Sequence, residues 1–69
     1  MKMTIMSKER FLSELFNADL FFIEKKEESQ MVQKDFYKVK NGPLTRTIIQ
    51  ETDFSSYPIK PFYFEVYND

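Results

Sequence analysis

Cysteine, histidine and tryptophan are all missing from this 69-residue chain. Their absence removes disulfides, thiolate nucleophiles, imidazole acid–base chemistry, Cys/His zinc sites and haem ligation by either residue. Any catalysis would fall to carboxylates, Lys, Tyr or Ser/Thr. Glycine is nearly absent as well. A single Gly42 cannot build a glycine-rich phosphate loop, and neither G-x-S-x-G nor H-E-x-x-H occurs. The chain is read as non-enzymatic, with no cofactor and no metal.

A charge excess of either sign is also lacking, since 10 Lys+Arg stand against 11 Asp+Glu for a net charge of −1. Long hydrophobic runs are missing too. The longest, Leu20 to Ile23, is far short of the ~20 residues that a spanning helix requires. The first six residues carry no apolar signal region, so a cytoplasmic location without a membrane partner is expected.

What the chain has in quantity is aromatic side chains: eight Phe and four Tyr, 17% of the residues. Each can bury roughly 150–250 Å², enough to give one small domain over residues 1–69 a core. The same residue types are enriched where proteins meet partners.

The first half contains no strong breaker, because Gly42, Pro43, Pro58 and Pro61 all lie after residue 41. Residues 1–6 read as a frayed end or a first short strand. From Ser7 to Asn17, Phe11, Leu12, Leu15 and Phe16 recur at helical spacing, with Ser7 placed as N-cap. Leu20 to Ile23 fits a buried strand running into a charged turn at Glu24 to Glu28, the alternative being one helix continuing to about Glu28. Met31 to Lys40 and Leu44 to Glu51 are β-rich by type and fit an antiparallel pair. An Asn41–Gly42 turn would need an amide that Pro43 lacks, so a loop wider than two residues is expected. Residues 53–61 form a linker. In the last segment Phe62, Phe64 and Val66 alternate with Tyr63, Glu65 and Tyr67, the pattern of a half-buried strand. By residue type, the Phe/Val side is the core and the Tyr/Glu side faces outward.

The expected fold class is therefore α+β, a small single domain with one N-terminal helix packed on a three- to four-stranded antiparallel sheet. Pairing residues 31–40 with 44–51 puts Tyr37 and Val39 on one face and Val32 and Phe36 on the other. With apolar groups on both faces, the sheet needs a second cover. The N-terminal segment, a second copy of the chain or a foreign partner could supply it.

The leading reading is a small protein-interaction module, an inhibitor or adaptor that binds a larger protein through Tyr63, Tyr67, Phe36 and Tyr37. A second is a self-associating structural subunit, a homodimer. A third is weak nucleic-acid binding through Lys34, Lys38 and Lys40, with Phe36 and Tyr37 between them as stacking platforms. The third is disfavoured by charge, because residues 24–40 carry five lysines against four carboxylates where such domains show a basic stripe. The same balance disfavours mimicry of DNA. Glu51 and Asp53 share one side of a strand, and Glu27 and Glu28 are adjacent, but neither pair is a specific catalytic or cation signal. Pro58 and Pro61 have PxxP spacing and read as a rigid linker. Small chains of this kind also occur as phage or mobile-element products that act on a host protein, an association with no motif behind it.

Overall fold

The computed structural model of the protein describes residues 2–17, 19–41 and 43–67. Its elements are β1 (Lys2–Met6), α1 (Lys8–Asn17), β2 (Asp19–Glu27), β3 (Val32–Asn41), β4 (Leu44–Asp53) and β5 (Lys60–Tyr67). The helix starts where a cap is available. The Ser7 side-chain oxygen accepts the amide of Arg10 at 3.2 Å, and its carbonyl accepts the amide of Phe11 at 3.0 Å. Glu9 in the first turn complements the positive end of the helix dipole.

The five strands form one antiparallel sheet in the order β1-β5-β4-β3-β2. This exceeds the three to four strands expected, because residues 2–6 are a full strand rather than a frayed end. Met3 pairs with Val66 and Ile5 with Phe64. β1 therefore closes one edge and cannot serve as the second cover. The strands β2 to β5 form a meander, while α1 carries the chain from one edge of the sheet to the other.

Three boundaries differ from the sequence reading. The run Glu24–Glu27 continues β2 instead of turning, because an edge strand can leave its charges in water; a register shift between Phe22 and Glu24 marks a bulge there. The turn comes later, where the Ser29 hydroxyl accepts the amides of Met31 and Val32. The loop before β4 is not wide. Asn41 pairs with Leu44, so the ladder closes one position later than an Asn41–Gly42 turn would require, and no Pro43 amide is needed. Finally, Lys60 and Pro61 already belong to β5, opposite Asp53 and Thr52, so the linker ends at Ile59 and the two prolines do not share one extended stretch. The Tyr57–Pro58 bond is cis.

The core lies between the helix and one face of the sheet. Met6, Phe11, Val39, Ile48 and Tyr63 are buried there, with Leu15, Leu20 and Tyr37 packed around them. Phe11 is the centre of it. Its ring sits 4.5 Å from that of Tyr63 and meets Tyr37 edge-on at 6.0 Å. Of the four apolar helical residues, Leu12 and Phe16 stay exposed, because only the Phe11–Leu15 stripe points at the sheet.

Candidate functional site

The four aromatic residues expected to bind a partner do not form one surface. Tyr63 is 8% exposed, stacked beneath the helix on Phe11, and is corrected from hot spot to core. Tyr37 is half-buried on the same side, between Phe11 and Phe22, whose ring it meets at 5.5 Å. Partial burial, with the negative charge of Asp35 nearby, raises the Tyr37 hydroxyl above its ordinary pKa. Phe36 points to the opposite face of the sheet, and the Tyr67 side chain lies outside the described residues.

Glu65, assigned to the outer side of its strand, is the most deeply buried charged residue described, at 2% exposed. It is held by two arginines from distant elements. Arg10 of α1 donates to Oε1 at 2.7 Å, and Arg46 of β4 donates to Oε2 at 2.6 Å. Arg46 also donates to Glu14 of the helix. Two guanidinium groups and two carboxylates thus pin the helix to β4 and β5 with no net charge. The cluster does structural work: it neutralises a carboxylate whose burial alone would be prohibitive.

The other face of the sheet has no helix over it among the described residues. The register puts Ile5, Phe64, Ile49 and Phe36 in one row across β1, β5, β4 and β3. Met3 and Val66 continue the apolar surface on one side of that row and Phe62 on the other. Ile49, in the middle, is buried by its neighbours alone, whereas Ile5 is 71% and Phe62 52% exposed. A shallow hollow of about 290 Å³ opens among Met3, Lys34, Phe36, Ile49 and Val66. Of the four tyrosine and phenylalanine candidates, Phe36 belongs to this apolar surface, and Tyr37 and Tyr63 do not. Alternation at 62–66 signalled the surface, but with the two sides exchanged.

Lys34, Lys38 and Lys40 project from β3 onto this same open face, so the basic candidates are brought together. Tyr37 is not with them. Phe21 lies opposite Lys38, and a second hollow of about 290 Å³ is lined by Phe21, Lys38, Lys40 and Thr45. Carboxylates share the face: Lys34 bonds Glu28 at 3.1 Å and pairs across the strands with Glu51. Asp53 stands two residues along from Glu51, and Glu24 pairs with Phe36. The result is an apolar band with mixed charge around it rather than a basic stripe. Hydroxyl and amide bonds from Ser55 to Asp53, at 2.5 and 2.9 Å, hold the Asp53 carboxyl below its ordinary pKa.

Among the described residues no helix is long and apolar enough to cross a membrane. Compared with protein-family models, with curated proteins and with solved structures, the chain matches none.

Proposed function

We propose that the protein is a non-catalytic protein-interaction module, which acts as inhibitors and adaptors do by docking one surface on another protein. The observation that carries this reading is the uncovered sheet face, whose apolar row Ile5–Phe64–Ile49–Phe36 spans four strands. An apolar row framed by charged groups is the anatomy of a docking surface: dry in the middle, polar at the rim. Met3, Ile5, Phe62 and Phe21 replace Tyr63 as the residues expected to carry the binding energy, since they are large apolar groups this face leaves in water.

Methionine oxidation tests the reading without a named partner. Met3 lies on the open face and Met31 in the turn between β2 and β3, and both are exposed. In an extract of the source cells, peroxide should oxidise Met3 several-fold more slowly than Met31. Equal rates would mean that nothing covers the face.

A further inference from the structure

We infer that the occupant of the open face is a second copy of this chain, so that two sheets stack into a symmetric β-sandwich; this rests on reading the face as a docking surface. Size is the first argument. A compact monomer of 8.4 kDa exposes about 4,600 Å². This chain exposes 5203 Å², an excess of about 600 Å². Five strands about 4.8 Å apart, of mostly eight to ten residues at about 3.3 Å each, give a face of roughly 600 Å² in flat projection. Side-chain relief brings that toward the roughly 800 Å² per partner of a standard interface. A chain this short with no cysteine is also the kind of domain that oligomerisation ordinarily stabilises.

Charge placement is the second argument. A two-fold axis along the row from Ile5 to Phe36 exchanges the rows on either side of it. Phe62 then meets Val66 of the copy. Glu51 meets Thr47 of the copy, which pairs with Lys38, and Asp53 meets Thr45, which pairs with Lys40. Each sheet thus brings Glu51 and Asp53 within one strand of Lys38 and Lys40 of the other, twice over by symmetry. Like charges meet at two places: Lys34 with Lys38 of the copy, relieved by the Glu28 already bound to Lys34, and Glu24 with its own copy, at the β2 edge where both carboxylates stay in water. A net charge of −1 per chain sets no long-range repulsion between copies. Sheets stacked in this way keep their strands within about 30° of alignment, which the row-centred axis allows.

Sedimentation equilibrium across about 1 µM to 1 mM covers the range in which such an interface titrates. The purified chain should reach twice 8.4 kDa, and its Met3 should be oxidised more slowly than Met31 as the dimer forms. The double variant Ile5→Lys/Phe62→Lys changes two exposed side chains, so its circular dichroism should match the wild type while it sediments as a monomer. Glu51→Lys should weaken the dimer at least tenfold, and adding Lys38→Glu should restore most of that loss. A wild-type monomer at every concentration overturns the second copy as occupant and leaves the docking reading to the extract experiment, where Met3 would still be shielded. A dimer that survives Ile5→Lys/Phe62→Lys, or a double swap as weak as Glu51→Lys alone, overturns the proposed interface as well.

Discussion

The two faces of the sheet are built from nearly the same residue types and end in opposite environments. Beneath the helix, Phe11, Tyr63, Ile48 and Val39 are shut away from water. On the other side Ile49 alone among the described residues is buried, while Phe62, Ile5, Met3 and Phe21 stay half or more exposed. Composition does not separate the faces, since each strand contributes apolar groups to both. Coverage does, and coverage is decided by which face α1 crosses and what ties it there. A side chain's hydrophobicity therefore indicates that it wants a cover, not that this chain provides one.

The widest gap between the faces should appear on truncating one phenylalanine on each. Phe11→Ala empties the centre of the core and should cost about 3–5 kcal/mol, enough to leave a domain of this size largely unfolded. Phe62→Ala, on a side chain already half in water, should cost about 1 kcal/mol in the monomer. Urea denaturation at dilute concentration measures both. Equal losses would mean that the open face is as integral to the fold as the covered one.

The ion cluster ranks next. Glu65→Ala leaves Arg46 with Glu14 as its one carboxylate in the cluster and strips Arg10 of its Glu65 bond, and breaking such a buried arrangement costs about 3–5 kcal/mol. The Arg10 side chain is 47% exposed and regains water when released, so the low end, about 3 kcal/mol, is expected. A loss below about 1 kcal/mol, typical of exposed pairs, would show that the helix is held by Phe11 and Leu15 alone.

Glu65 also marks the limit of what was legible in the sequence. The helix from Ser7, the strands near residues 20, 32–40, 44–51 and 62–67, and the division of Tyr37 and Val39 from Phe36 all follow from spacing and residue type, but the run Leu20 to Ile23 expected to be buried lies on an edge strand that leaves Phe21, Phe22 and Ile23 half exposed. Alternation at 62–67 likewise predicts a half-buried strand, as found, but not which half. Residue type points to Phe62 and Phe64 as core and Glu65 as surface. The opposite holds because Arg10 and Arg46, 55 and 19 residues away, neutralise the carboxylate, and Phe11 stacks on Tyr63. Neither partnership leaves a local signal. The candidate site inherited the inversion: with Tyr63 moved inside, the apolar surface passes to Phe62, Ile5 and Met3. The last two lie in a segment too short to be assigned until β5 is there to pair with it. The charged end of β2 was hidden for a related reason, since an edge strand needs no apolar alternation to stay paired on one side.

The smallest expected effect tests how closed the covered face is at its open end. Tyr37 stands there between Phe11 and Phe22, its hydroxyl raised above the ordinary value near 10 by partial burial and then by the charge of Asp35. The neutral phenol is the form the fold favours. Its contribution to stability is therefore complete below about pH 10, where the unfolded chain would ionise, and is lost as the pH rises from there through the folded value. Lysines and the other tyrosines titrate in the same range, so the measurable quantity is the difference between the wild type and Tyr37→Phe. The two should have parallel stability profiles from neutral pH to about 9, and above about 10 the wild type should fall more steeply. Parallel profiles throughout would mean that water reaches the phenol as freely as in the unfolded chain, and that the helix-covered face ends at Phe11 rather than at β3.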